Sequence, residues 1–449
     1  MGAGLRVDTV RVNAAAVKKR IANWGNYPVV EAEVARLETE ERLAGLLSRP
    51  MIARGMGRCY GDASLGERVL STLPHDRFLS FDEGTGDLEC QAGTVLGTIV
   101  ETFVPRGWFL PVTPGTRFVT VGGAISADVH GKNHHIDGSF CRHVRSLRVM
   151  TADGGIVNCS QNENAELFDT VCGGMGLAGI ILSAVIRLKK VETPYVRQET
   201  VKAKDLGEVM DLFERSADWP YSVAWIDCLS GSGRALMIRG AHATREEALG
   251  LPVSGAKTPS LNVPFFLPSF ALNGVSVKLF NALYYAKARR GVTTAITGYE
   301  SFFYPLDGVQ NWNRIYGRRG FVQYQLVLPK EQSRAGIAAV LKRVADAGQG
   351  SFLAVLKLLG KGEHLLSFPM EGYTLALDFP ITKNLFGLLD ELDAIVLRHG
   401  GRLYLAKDAR MNAGTFNKGY ANADAFRARK AKFDPRGVFQ SLQSKRLHI

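Results

Sequence analysis

The sequence predicts an α+β protein of two domains. Three observations lead there. The N-terminal third is rich in glycine and mixes strand-like with helix-like runs. After about residue 194, short strands rich in Tyr, Phe, Leu and Val alternate with a few helices, the pattern of an antiparallel sheet with helices on one side. From about residue 402 the chain turns basic, in "GRLYLAKDARMN" and "RARKAKFDPRGVFQSLQSKRL". A chain of 449 residues fits two or three domains, and it buries a large core without disulfide staples.

Leu96, Ile99, Val100 and Phe103 fall at i, i+3, i+4 and i+7, which predicts an amphipathic helix over 94–103. Thr94 is its expected N-cap, and Pro105 with Gly107 stops it. "LRVMTADGGIVNC" reads as a hairpin around an Asp-Gly-Gly turn, and 181–191 as a further strand. Asp205 and Glu208 resemble a capping box and open a helix with Leu206, Val209, Met210 and Phe213 on one face. A second helix carries Ile337, Val340, Leu341 and Val344 and ends at Gly348. A third carries Leu385, Leu388, Leu389 and Leu392 and ends at Gly400. The strands between them include "FVQYQLVLP", "FLAVLKLLG" and "YTLALDFP". Residues 258–277 carry no charge but are broken by Pro259, Pro264 and Pro268. That excludes a spanning helix of about 20 residues and predicts a long irregular loop. An apolar lid touching a lipid tail or a membrane surface is the sharper reading of the same run.

The net charge of +12 favours anionic partners. The basic residues are spread along the chain, so no nucleic-acid partner is expected. The six cysteines form no C-x-x-C pair and read as reduced thiols of a cytoplasmic protein. The first twenty residues lack the apolar core of a signal peptide, and Arg6 stands where a myristoylation signal needs Ser or Thr.

Three small-residue segments carry the chemistry. In "ARGMGRCYGDAS" (53–64), Gly55, Gly57 and Gly61 allow a turn whose N–H groups point inward, and Arg54 and Arg58 add charge. Such a nest holds a pyrophosphate. The spacing is not a Rossmann G-x-G-x-x-G, and as a pattern alone it fits a surface loop equally well. In "PGTRFVTVGGAISADVHGKNHHIDGSF" (114–140), Thr120, Gly122, Gly123, Ala124 and Ser126 let a large flat or extended ligand lie against main chain. His130, Lys132, His134 and His135 are spaced too irregularly for zinc, so no metal site is expected. His130 and Lys132 read as groups facing the ligand, His134 and His135 as caps bonded to main chain. "CGGMGLAGII" (172–181) is the third segment. Together they suit one long ligand, such as the dinucleotide FAD.

"RGMGRCYGD", "PGTRFVTVGGAISADVHGKNHH", "GSFCRHVRSLRVMTADG", "GGMGLAGI", "GFVQYQ", "LSFP", "DFP" and "GRLYLAKDAR" together resemble the decaprenylphosphoryl-β-D-ribose 2′-oxidase family. These are FAD-linked oxidoreductases of the vanillyl-alcohol oxidase and p-cresol methylhydroxylase (PCMH) type. The resemblance runs from about residue 24 to the C-terminus; "HGKNHH" and "LYLAKD", in this order, are its specific parts. It implies a PCMH-type FAD-binding domain at 1–194, completed by 402–449, around a substrate domain at 195–401. It implies FAD contacts from Ala53, Arg54, Gly55, Met56, Gly57, Arg58, Cys59, Tyr60, Gly61, Asp62 and Ala63. Further contacts are implied at Gly115, at Thr120, Val121, Gly122 and Gly123, at His130, Gly131, Lys132 and Asn133, and at Ile181 and Tyr404. Many oxidases of the superfamily bond flavin covalently through a histidine in the first loop. Arg58 and Cys59 occupy that slot, so non-covalent FAD is expected.

Lys407, which the resemblance places beside the flavin, is the expected catalytic cation or base. A free lysine has a pKa of about 10.4, so a basic role needs burial or a neighbouring cation. Lys357 lies on an apolar strand face and suits a substrate phosphodiester. Gln323 and Gln325, two apart on one face, can bond sugar hydroxyls or the flavin edge. By resemblance Tyr60 and His130 join the catalytic set and Trp225 lines the site. Thr374, Ala376 and Asp378 should look into the pocket. Family members carry asparagine and cysteine at the first two positions, which leaves lipid length and pentose open here.

The implied activity is oxidation of the 2′-hydroxyl of a polyprenyl-phospho-β-D-ribose to the keto sugar. A separate NAD(P)H-dependent keto-reductase would complete epimerisation to the arabinose form for cell-envelope or glycan synthesis. Peripheral contact at the inner face of a membrane goes with a lipid substrate. The competing readings are an alditol or aldonolactone oxidase acting on a soluble sugar, and a flavin-fold protein that only binds a partner.

Overall fold

The computed structural model describes residues 17–252, 261–268, 272–289, 291–351 and 353–449. An eight-stranded sheet organises it. In spatial order its strands are Val292–Gly298, Tyr195–Ala203, Ala235–His242, Tyr221–Ile226, Ala354–Leu359, Gly372–Pro380, Phe321–Pro329 and Arg402–Leu403. Every pairing is antiparallel, so successive side chains alternate between two faces.

One face is closed by helices Leu206–Glu214, Lys330–Asp346 and Leu385–Arg398. Their apolar stripes, the ones predicted, share a core with Ala224, Met237, Leu326, Leu356, Leu375 and Leu377 of the strands. Each such side chain, fully buried, contributes roughly 1.5–3 kcal/mol. The Asp205 carboxylate caps the first helix by accepting from the Glu208 N–H. Glu208 itself accepts from the Lys204 N–H, one residue before the cap. Gly348 and Gly400 have φ of +63° and +70°, which lets the chain turn off the other two helices.

The first part of the chain forms a mixed four-stranded sheet and an antiparallel five-stranded sheet. The latter includes the predicted hairpin, Val144–Met150 with Ile156–Ser160. Helix Leu96–Phe103 packs against this sheet through Ile99, Val100 and Phe103. It starts later than expected. Val95 holds the cap position, and Thr94 uses main chain instead, donating to Gln91 O and accepting from Val121 N. The Leu96 and Gly97 N–H groups donate to Val119 O and Arg117 O, so no hydroxyl cap is needed.

The run 258–277 is not a loop throughout. Leu261–Asn262 pairs with Val309–Gln310, and a helix spans Gly274–Lys287 behind an Asn273/Ser276 capping box. Residues 258–260 and 269–271 lie outside the described residues. Among the described residues no helix is long and apolar enough to cross a membrane.

The C-terminal segment closes on the first strands. The Met51 N–H donates to Val438 O, and Gln440 and Leu442 donate to Met51 O and Leu65 O. The Arg446 guanidinium bridges two buried carboxylates, Asp62 at 2.7 Å and Asp408 at 2.9 Å. Removing it strands both anions away from water. Arg446→Ala should lower stability by about 3–5 kcal/mol, read as a fall in the denaturant midpoint.

Candidate active site

The free face of the large sheet and the glycine-rich part of the first domain enclose a cavity of about 890 Å³. Strand alternation builds the sheet wall. Trp225 stands opposite Val355, Val355 opposite Ala376, and Ala376 opposite Gln325. The Tyr404 N–H continues the row by donating to Gln325 O. Lys357, one pleat along, and Gln323 line the same wall.

Main chain forms much of the facing wall. A Cβ on Gly55 would stand 2.2 Å from Thr120 Oγ1, and Gly57 has φ of +61°, so neither position takes a side chain without rearrangement. Thr120 Oγ1 accepts from the Gly123 N–H and holds the small-residue helix Val121–Ser126 in place. Ala53, Met56, Cys59, Ala63, Gly115, Gly122, Gly131 and Ile181 complete the surface on this side. A groove of this length, lined by backbone and small side chains, fits FAD.

Five expected contacts are elsewhere. Gly61 packs on the Asp408 main chain, and Asp62 is held by Arg446. Val121 lies in the core, and Asn133 donates to Pro111 O and Asp137. Thr374 sits behind Gln325, not on the wall. Arg54 reaches the cavity, and its guanidinium braces the loop by donating to Asn23 Oδ1, Ala22 O and Ser64 Oγ, neutral acceptors that leave its charge uncancelled. Arg58 stacks over Trp24, 4.4 Å from the ring centroid. His134 bonds Ser139 Oγ and the Gly360 N–H, and His135 bonds Trp219 O; both are caps.

The cavity interior is cationic. Burial pulls Lys407 down to about 7, with Asp378 working against the shift and Lys357 adding to it. Its Nζ lies 3.8 Å from the centroid of Tyr60. Burial brings Lys357 to about 8. Lys132 falls to about 7 through burial and the Lys357 charge, and its ammonium donates to Phe302 O and faces the Phe302 ring. Burial raises the Tyr60 phenol well above its ordinary range, so it stays protonated. Asp378 is lifted to about 7 by burial while accepting from Gln323 and from the Tyr316 hydroxyl. One Gln323 N–H is therefore committed to Asp378, and the side chain also bonds the Tyr60 phenol.

A hydrogen-bond chain fixes His130. The Thr374 hydroxyl donates to Leu326 O, so its oxygen accepts from Gln325. That orients the Gln325 amide, whose other N–H points at His130 Nε2, 3.1 Å away. Nε2 must accept, and the proton sits on Nδ1. Burial first, then the Lys357, His134 and Lys407 charges, hold the ring well below its ordinary pKa and neutral. Its Nδ1 is buried and has no partner among the described residues, so it is available to a bound group.

Asp378, expected to look into the pocket, is instead buried behind Gln323 and Tyr316, because a carboxylate inside "YTLALDFP" needs partners. Trp24, Phe302 and Asp307, which also line the cavity, left no local signal.

This is the construction of an FAD-dependent oxidoreductase. The model of the FAD binding domain family matches residues 31–160. The decaprenylphosphoryl-β-D-ribose oxidase of Mycolicibacterium smegmatis is 36% identical over 96% of this chain and 98% of its own length. An uncharacterized protein of Streptomyces coelicolor is 33% identical over 79% of this chain and all of its own length. A shorter match, 31% identical over 27% of this chain and 23% of the relative, is to the mitochondrial D-2-hydroxyglutarate dehydrogenase of Bos taurus. The chain belongs to the decaprenylphosphoryl-β-D-ribose oxidase family.

Thr374→Val tests the chain that sets His130. It leaves the Leu326 carbonyl and one Gln325 N–H pointing at a methyl group, so stability should fall by about 1–3 kcal/mol. In ¹⁵N spectra of the imidazole, His130 should change from one Nδ1–H tautomer to a mixture.

Proposed function

We propose that this protein oxidises the 2′-hydroxyl of a polyprenylphosphoryl-β-D-ribose to the 2′-keto sugar. The observation that carries this reading is a pair of buried lysines, Lys357 and Lys407, on the wall of a cavity whose other side is a glycine-lined dinucleotide groove. A lysine in such surroundings calls for an anion, and the phosphodiester of a lipid-linked sugar supplies one where a free alditol does not. The relative named as a decaprenylphosphoryl-β-D-ribose oxidase supports the same sugar.

When bound, FAD supplies the two-electron acceptor for the carbinol hydrogen. The protein supplies the rest. Lys407, with its pKa near 7, takes the hydroxyl proton. Tyr60 stays protonated beneath that ammonium and packs edge-on against Phe321, 5.3 Å between centroids, so the lysine is held from below. Lys357 holds the phosphodiester, and Gln325 and Gln323 orient the sugar. FAD is held without a covalent bond: Arg58 is stacked on Trp24, and burial keeps the Cys59 thiol protonated beside Ser64. Ala376 offers no thiol to an electrophile, so compounds that act by bonding to a cysteine there fail on this protein.

The helix Gly274–Lys287 leaves Val275, Leu279 and Leu283 exposed by 79%, 61% and 63%. Phe280 and Tyr284 of the same helix line the cavity and are also open to solvent, so they mark its mouth. The helix has two lysines and no acid. This face receives the prenyl chain and rests on an anionic bilayer, and a separate NAD(P)H-dependent reductase there takes the keto product on to the arabinose form.

Anaerobic mixing with polyprenylphosphoryl-ribose in vesicles should bleach the flavin, whereas ribose, xylitol and aldonolactones should not. Bleaching by the free sugars alone would end this reading. Acid precipitation should leave the flavin in the supernatant.

The pH profile follows from the two lysines. Lys407 works as a base only when neutral, so kcat/KM should climb about tenfold per pH unit up to about pH 7. Lys357 binds the phosphodiester only when charged, so kcat/KM should fall again above about pH 8. Lys407→Met should abolish the acid limb and lower kcat about 10²–10⁴-fold.

A further inference from the structure

Away from the cavity, Cys141, Cys172 and His364 bring their donor atoms within 4.8 Å of one another. Both cysteines are buried to 1% exposure or less. Cys141 lies in the 3₁₀ turn Phe140–His143, and Cys172 caps the C-terminal end of helix Ala165–Val171. His364 comes from the loop between strands Ala354–Leu359 and Gly372–Pro380 of the large sheet. Two remote parts of the chain thus converge on one point.

We infer that these three side chains form a structural site for a soft divalent cation of the zinc class. Two sulfurs and an imidazole are donors that zinc takes, and they leave one position of its tetrahedron to a fourth ligand. Metal–sulfur bonds of about 2.3 Å and metal–nitrogen bonds of about 2.0 Å require the three donors to close on the ion, and the Cys141 thiol to give up its proton and its hydrogen bond to Ile125 O. The supporting shell is in place. His364 Nδ1 pairs with Asp169 Oδ1 at 2.7 Å, and Asp169 is held in turn by Arg429. That is the carboxylate–histidine arrangement that leaves Nε2 as ligand. On the other side, Asp128 is wholly buried; it accepts from the Cys141 N–H at 3.0 Å and from the Ser367 hydroxyl at 2.5 Å. It forms no ion pair among the described residues, and its charge favours a cation here. A water completes the four ligands.

The position gives the metal a job. Loop 360–371 carries His364, Ser367 and Phe368, and the Phe368 ring stacks on Tyr404 and tilts against His130. An ion at this point staples that loop to the FAD-binding domain and fixes the packing under His130.

The test is made on the full-length, FAD-loaded, reduced protein. After dialysis against a chelator, addition of Co²⁺ should give one equivalent bound, with thiolate-to-cobalt charge transfer in the near ultraviolet and ligand-field bands to the red of the flavin. Zn²⁺ should displace it and raise the melting temperature. Cys141→Ser and Cys172→Ser should lose the charge-transfer band, and Cys228→Ser, at a buried thiol elsewhere, should keep it. A reduced wild-type protein that binds no Co²⁺ overturns the proposal, whatever the variants do, and so does a band that survives both Cys141→Ser and Cys172→Ser.

Discussion

The site depends on positive charge held inside the protein without a matching number of anions. Lys132, Lys357 and Lys407 converge on one cavity, and burial brings their pKa values to about 7, 8 and 7. Asp378 answers Lys407; neither Lys357 nor Lys132 has an anion among the groups that shift it. An uncompensated buried ammonium costs several kcal/mol, so the fold must be stable enough elsewhere to tolerate it. The arrangement makes sense if anions arrive with the ligands. A phosphodiester and an electron-rich cofactor each convert an unfavourable field into binding free energy.

The tolerance comes from the large antiparallel sheet. Its period of two separates the duties of neighbouring residues. Leu326, Leu356, Leu375 and Leu377 go to the helices and hold the domain together. Gln325, Lys357 and Ala376, each one residue away, face the cavity. Because the register is fixed across four strands, Trp225, Val355, Ala376 and Gln325 form a straight row. A one-residue slip in any strand would exchange a core leucine for a site residue, so the packing that stabilises the sheet also aligns the chemistry.

What the sequence made legible follows the same physics. The three helices over the sheet were readable because each buries a stripe on a flat partner, and a stripe of leucines at 3.6-residue spacing records that locally. The paired glutamines and Lys357 were readable because a polar residue inside an alternating strand breaks its pattern. Thr94 misled because the first N–H groups of its helix, on Leu96 and Gly97, donate to the main-chain carbonyls of Val119 and Arg117, and nothing local reports those. Residues 258–277 misled because three prolines hid an Asn273/Ser276 capping box at the end of the run. Asp62 was assigned to the cofactor, but its partner, Arg446, stands 384 residues away. No spacing rule spans such distances. The Cys141, Cys172 and His364 cluster was illegible for the same reason.

Asp378 and Lys407 show how the burial is put to use. Each is driven toward neutrality by desolvation, the acid upward to about 7 and the amine downward to about 7. Each also favours the charged form of the other. An ion pair and a neutral pair are then close in free energy near neutral pH, since a pKa match means that a proton passing between them changes little. Lys407 can take a proton from a hydroxyl without creating a new isolated charge, because the carboxylate behind Gln323 and Tyr316 is there to receive its field. Tyr60 cannot serve as that partner, because burial and Asp378 both oppose its ionisation. The acid placed two residues inside the end of a hydrophobic strand is therefore what allows a lysine, ordinarily a poor base, to act as one.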